Sequence, residues 1–257
     1  MTIDLTRDGR ITVITINRPD AHNALDPESA EALHEAMLAF DADDASTVAI
    51  ITGTGERAFC TGADLRAAAA TDMTPALRAL GRGDASLVRD PGVAKPMIAA
   101  VNGYALGGGF ELALICDIRV ASRKAIFGLT EVAVGSMPGS GGTQRLPRIV
   151  APGVAAHLAL TGEHVDAAEA YRIGLVTRLF EPEALIEGAL AVARAIDANA
   201  PLSVRAVKRA IRQGQDMPLA QGLSYERALF NLLRDSEDRQ EGRRAFREKR
   251  KPSYQGR

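Results

Sequence analysis

Between residues 10 and 16 apolar and polar side chains alternate, bounded by Asp8-Gly9 and Arg18-Pro19, which is the pattern of a half-buried strand. Asp26-Pro27-Glu28 then opens a helix, with a capping side chain, a proline in the first turn and an acid near the positive end of the helix dipole. Ala30, Leu33, Met37 and Phe40 give that helix its apolar stripe, and residues 47–52 form a strand-like run that stops at Gly53. A second cycle predicts a strand at 97–101, a helix at 109–116 and strands near 118–121 and 125–127. This repeated strand, strand, helix order predicts α/β layering with strands that are at least partly parallel. From Pro152 the pattern turns mainly helical. Asp166-Ala-Ala-Glu169 has capping-box spacing, Gly174 closes that helix, 175–180 reads as a strand, and further helices begin near Pro182, Pro201 and Pro218. The Gly- and Asp-rich segment 81–92 reads as a loop joining the two cycles.

Composition changes this picture mainly by exclusion. At 257 residues the chain has room for one large domain, or a core with a smaller appendage, around a packed interior. A formal net charge of -1 gives no global field toward nucleic acid or an acidic membrane. Two cysteines, Cys60 and Cys116, are too few for a disulfide framework and suit a reducing compartment, so the cytoplasm is expected. Residues 1–10 carry Asp4 and Asp8 and no apolar run, unlike a signal or transit peptide. The most apolar stretch, 97–116, contains Asn102, four glycines and Glu111, which fits a buried strand and helix and not a membrane span.

Candidate chemistry lies in three blocks. The first, residues 99–117, runs from a strand through a turn and three consecutive glycines into an apolar helix holding Glu111. Glycines there let backbone approach a ligand closely, and free N–H groups at a helix start can stabilise a developing anion. The same letters also fit a packing device with Glu111 as a dipole partner. The second block, Arg57-Ala-Phe-Cys-Thr-Gly-Ala-Asp-Leu65, again offers small residues and an exposed N–H, and reads equally as an ordinary loop. The third, residues 125–146, sets Glu131 among apolar residues and glycines, where poor solvation can keep an acid protonated for general-acid work. A hydrogen-bonded scaffold glutamate is the plainer alternative.

Taken together, the three blocks resemble the enoyl-CoA hydratase/isomerase (crotonase) superfamily. Gly-Ala-Asp-Leu, Ala-Val-Asn-Gly-Tyr-Ala-Leu-Gly-Gly-Gly-Phe-Glu-Leu and Pro-Gly-Ser-Gly-Gly-Thr-Gln-Arg-Leu have the family's form and order. Ile16-Asn-Arg-Pro19, Asn23-Ala-Leu25 and Glu248-Lys-Arg-Lys-Pro252 extend the likeness to nearly the whole chain. The resemblance implies a spiral of ββα units over residues 1–200 and a helical C-terminal region, 201–257, used in trimer formation. It implies an acyl-CoA substrate whose thioester oxygen is held by the N–H groups of Ala63 and Gly108, with Glu111 and Glu131 as catalytic acids. Gly139 matches a position whose backbone lies beside the catalytic water. Ala24, Arg57, Asp64, Leu65 and Lys249 fall in segments that contact substrate or the CoA nucleotide. No metal or redox cofactor is implied. The expected assembly is a dimer of trimers, with a trimer as the fallback.

Both glutamates being present favours hydration of a trans-2-enoyl-CoA over Δ3,Δ2-enoyl-CoA isomerisation, and a specialised relative such as a carnitinyl-CoA dehydratase also keeps both. Gly53-Thr-Gly-Glu-Arg-Ala58 fits a dinucleotide-binding G-x-G-x-x-A, but a turn at 59–64 follows it in place of the long helix that such a site needs. No phosphate-binding P-loop and no nucleophile elbow occurs, and His22, His34, His157 and His164 lack a zinc spacing. Residues 239–257 hold eight Lys or Arg against two Glu, which raises a non-enzymatic RNA-binding reading. That segment lacks aromatics spaced for base stacking, so a solvated helix end or a contact with CoA phosphates is expected instead. Acyl-chain preference is not legible, because residues 66–95, which should shape the pocket, are the least family-like.

Overall fold

The computed structural model describes residues 2–64 and 92–257. Strands β1 (Ile3–Asp8) and β2 (Ile11–Ile16) form an antiparallel hairpin about Gly9, whose φ of 60° suits a residue without a Cβ. Helix α1 (Pro27–Ala42) follows, capped by the Asp26 side chain, which accepts a hydrogen bond from the Ser29 N–H at 2.8 Å. Then come β3 (Val48–Gly53), β4 (Ala58–Cys60), β5 (Met97–Val101), β6 (Tyr104–Leu106), α2 (Gly108–Ile115), β7 (Ile118–Ser122) and β8 (Ile126–Gly128). A six-stranded sheet has the order β1-β2-β3-β5-β7-β10, parallel from β2 onward, with β10 at Arg178–Phe180. A second sheet, β4-β6-β8-β9, is closed by the short antiparallel β9 (Val165–Asp166).

Strand alternation divides the core. Ile50 and its partner Ile98 face α6 (Leu185–Asp197) through Leu185, Ala189 and Ala193, whereas Ile51 and Ala99 face α1, α2 and the second sheet. Every residue of the mid-sheet strands β3 and β5 is buried, as expected for parallel strands covered on both sides. Between the layers, Asn23 and Asn102 turn their side-chain amides onto the Ala58 carbonyl at 2.6 and 3.1 Å. The segment matching G-x-G-x-x-A therefore runs into β4 and not into a dinucleotide-binding helix.

Helices α3 (Gly142–Ile149), α4 (Pro152–Thr161) and α5 (Ala167–Arg172) pack beside the second sheet, and α5 is capped by Asp166. The C-terminal helices are α7 (Pro201–Gly214), α8 (Leu219–Leu232) and α9 (Glu237–Glu248). An inward latch ties α7 to the large sheet: Asp117, just before β7, pairs with Lys208 at 2.9 Å and Arg212 at 3.0 Å, and accepts from the Met97 N–H at 2.8 Å. Much of the basic tail is internally engaged, with Glu241 holding Arg244 and Arg250 and Glu237 holding Arg257.

Three expectations need correction. Residues 175–177 do not extend a strand: the Leu175 and Val176 N–H groups donate to the Ala170 carbonyl, so β10 begins only at Arg178. The helix near Pro182 starts as a 3-10 turn, Pro182–Ala184. Helix α2 begins at Gly108, one residue earlier than predicted. The loop expected at 81–92 lies, except for Gly92, outside the described residues.

Candidate active site

The site grows from the turn between β6 and α2. Gly107 has φ 53° and ψ −128°, and its N–H donates to the Gly128 carbonyl at 2.8 Å, so the glycine run leaves β6 sharply and enters the helix. Gly108 is then the first residue of α2, where helical geometry leaves N–H groups without an intrahelical acceptor. On the facing segment the Leu25 N–H donates to the Gly62 carbonyl and the Asp64 N–H donates to the Leu25 carbonyl, at 2.8 and 2.9 Å. This bridge passes over Ala63. Among the described residues neither the Ala63 nor the Gly108 N–H donates to a protein acceptor.

The two groups are close. A Cβ added at Gly62, whose φ is 87°, would come within 2.9 Å of the Gly108 nitrogen, and one added at Gly108 would lie 3.9 Å from the Ala63 nitrogen. One turn into α2 stands Glu111, 2% exposed. Its partners belong to another helix: Oε1 accepts from the Ser140 N–H at 2.8 Å and the Gly142 N–H at 2.7 Å, at the start of α3. Burial pushes the Glu111 pKa up, and these two N–H groups and the charge of Arg145 pull against that without cancelling it.

Glu131 opens a 3-10 turn, Glu131–Val134, after β8. Its Oε1 reaches back to the glycine turn, 3.4 Å from where a Cβ on Gly107 would sit, while its Oε2 is buried with no hydrogen-bond partner among the described residues. Burial raises its pKa, and the neighbouring charge of Glu111 raises it further. Two acids of elevated pKa and two unengaged N–H groups thus converge on one turn. Proton transfer beside a stabilised oxyanion is the chemistry this arrangement can perform.

The remaining expected residues divide by position. Arg18 gathers Ala24 and Asp64: its guanidinium donates to the Ala24 carbonyl and pairs with Asp64 at 3.2 Å and Asp26 at 2.8 Å, beside the Ala63 bridge. Arg57 is exposed, and its carbonyl accepts from the Tyr104 N–H at 3.0 Å. Gly139 is exposed and directly precedes Ser140. Lys249 ends α9 at φ 53°, and no hydrogen bond or ion pair brings it to the glutamates. Leu65 lies outside the described residues. Sequence reasoning missed the donors Ser140 and Gly142 and the ion-pairing role of Arg18. The available signal was Gly141-Gly142 ahead of Thr-Gln-Arg-Leu, a helix start of the kind that binds anions.

Comparison with known proteins places the chain among relatives of one description. The family model described as enoyl-CoA hydratase/isomerase matches residues 6–257. The chain is 46% identical over 256 residues to the (E)-benzylidenesuccinyl-CoA hydratase of Thauera aromatica, covering 100% of both. It is 43% identical over 253 residues to the 2,3-dehydroadipyl-CoA hydratase of Escherichia coli strain K12, covering 98% of each. Among solved structures, an enoyl-CoA hydratase from Bacillus anthracis superposes with a TM-score of 0.94 at 37% identity, over 100% of both chains.

Proposed function

This chain belongs to the enoyl-CoA hydratase/isomerase family, and from that premise we propose that it is a hydro-lyase. It adds water across the 2,3 double bond of a trans-2-enoyl-CoA to give the 3-hydroxyacyl-CoA. The observation that carries this reading is the pair of carboxyls, Glu111 buried and Glu131 half-buried, set against the unengaged Ala63 and Gly108 N–H groups.

The thioester oxygen accepts hydrogen bonds from Ala63 and Gly108, and attack at the β-carbon moves negative charge onto that oxygen. Each preorganised donor is worth about 3 kcal/mol in such a transition state. With Oε1 of Glu111 occupied by Ser140 and Gly142, its Oε2 is the oxygen left to take a proton from water as the water oxygen bonds to the β-carbon. Glu131, whose hold on its proton is strengthened by burial and by the nearby charge of Glu111, delivers that proton to the α-carbon. One proton has then entered Glu111 and one has left Glu131, and exchange with solvent resets the pair. The chemistry calls on no metal or redox cofactor. The family resemblance assigns Gly139 a place beside the water, and Ala24, Arg57, Asp64, Leu65 and Lys249 contacts with substrate or the CoA nucleotide.

Isomerisation is the second reading, since a single acid suffices to move a proton between two carbons. The deciding assay compares trans-2-enoyl-CoA with 3-enoyl-CoA in oxygen-labelled water. It should include crotonyl-CoA and the aromatic and dicarboxylic acyl groups named for the two relatives. Expected is turnover of a trans-2-enoyl-CoA with label at the β-carbon; faster turnover of the 3-enoyl substrate without label overturns the assignment.

We also propose self-assembly as a trimer or dimer of trimers. The exposed Val207, Ile211, Leu219, Leu223, Phe230 and Phe246 on α7, α8 and α9 support it. Among the described residues no helix is long and apolar enough to cross a membrane. Free, buried Cys60 and Cys116 are in keeping with a cytoplasmic protein, and the internally paired tail argues against an RNA-binding role.

A further inference from the structure

Glu111 owes its orientation to a turn that another side chain holds. The donors Ser140 N–H and Gly142 N–H flank the peptide that joins Ser140 to Gly141, and the carbonyl of that peptide accepts a hydrogen bond from Arg145 Nη1 at 2.8 Å. Gly141 has φ 102°, and a Cβ there would stand 2.0 Å from Arg145 Nη1, so the guanidinium is folded onto the turn itself. Rotating the 140–141 peptide would swing the two donors out of register with one oxygen. A charge-assisted hydrogen bond to its carbonyl opposes that rotation. Among the described residues the charged groups acting on Glu111 are Arg145 from α3 and Glu131 from the 3-10 turn. Strands β4 and β6, which also pack on α2, carry no charged side chain, and the buried Cys60 thiol has its pKa pushed up to about 12.

We propose that Arg145 is a positioning residue for hydration: by holding the Ser140 carbonyl it sets the two N–H groups that aim Glu111. The inference rests on the hydratase reading of the same site. Arg145 touches neither water nor thioester in this scheme, so its loss should appear in turnover and in the ionisation of Glu111 far more than in substrate binding.

The test compares Arg145→Gln and Arg145→Lys with the unmutated chain, using crotonyl-CoA kinetics across pH and carboxyl carbon-13 NMR of the ligand-free protein, with the Glu111 signal assigned by Glu111→Gln. For Arg145→Gln the expected result is a fall in kcat of about tenfold or more, with KM within about threefold, from the loss of one charge-assisted bond. Glu111 should titrate at higher pH, moving the acidic limb of the rate profile upward, because a pull toward the ionised form has been removed. Arg145→Lys, which keeps charge and a donor, should retain kcat within about threefold and an unmoved titration. A folded Arg145→Gln protein with parental kcat and parental Glu111 titration overturns the proposal. So does an equal loss in both variants with the titration unmoved, since that describes shape alone. If the glutamine variant does not fold, the lysine variant decides: near-parental kcat supports the role and a tenfold loss removes it. A parent that fails to hydrate enoyl-CoA sinks the hydratase reading, and the NMR titration then still judges Arg145.

Discussion

Glu131 shows how one buried atom couples catalysis to stability. Its Oε2 is buried and finds no hydrogen-bond partner among the described residues, so charge on that oxygen is poorly solvated. Replacing it with glutamine should lower turnover by about a hundredfold or more, within the range for losing a general acid, with little change in substrate binding. The same substitution should raise stability at alkaline pH. The folded chain holds this proton more tightly than the unfolded chain, so the acid favours folding below its ordinary value of 4.5 and costs stability as pH rises through the raised folded value. Thermal melts should therefore show Glu131→Gln melting above the parent at pH 8, with the gap closing as pH falls toward 4.5. No gain at pH 8 would mean that Glu131 is better solvated than its burial implies. Both glutamates were legible as acids stranded in apolar runs. The partners of Glu111 were not: Ser140 and Gly142 act through main-chain N–H groups, which every residue but proline carries and which only the fold can aim.

At the scale of elements, local signals wrote α1 and α5 into the sequence, because Asp26 and Asp166 cap their own helices three residues on. Strand β1 left little trace, since only Ile3 of its six residues is buried and the apolar alternation stops at Leu5. Helix α3 was hidden by its short length, its glycine entry and Pro147 in its interior. Close approach of β4 to α2 was likewise unreadable, although it fixes the start of the catalytic helix. A Cβ on Gly109 would stand 1.9 Å from the Cys60 carbonyl oxygen, main chain that cannot step aside. Gly109→Ala should accordingly abolish activity and lower the melting temperature sharply. Gly153→Ala, in α4 and facing nothing within 4 Å, should be neutral or stabilising by up to about 1 kcal/mol. Matching melting temperatures for the two variants would show that α2 can shift away from β4.

Across the whole molecule, the α/β layering came from periodicity, and the spiral from the family resemblance. What remained dark was how the C-terminal helices attach, because their most apolar residues face outward and their anchor is polar. Asp117 neutralises Lys208 and Arg212 at the edge of the sheet, and Lys208 also donates to the Lys95 carbonyl at 2.7 Å. Removing the acid strands a cation whose side chain is only 8% exposed. Asp117→Ala should cost about 3 kcal/mol or more in denaturant unfolding, as for other broken buried pairs. Sedimentation should find the parent as a trimer or hexamer and this variant shifted toward smaller species. An unchanged assembly and unfolding midpoint would show that the outward apolar faces alone carry the C-terminal helices.

The division between main-chain and side-chain chemistry in this site has a consequence for descent. Ala63, Gly108, Ser140 and Gly142 serve through peptide N–H groups, so a base change that replaces one side chain by any but proline leaves the donor itself in the polymer. The two acids enjoy no such protection. A glutamate codon lies one base from glutamine, aspartate, lysine, glycine, alanine and valine. On the proposed function, a lineage carrying this scaffold can therefore lose or re-specify its proton chemistry in a single mutational step while keeping the proposed thioester-gripping half intact, an asymmetry that biases it toward new reactions on the same class of substrate.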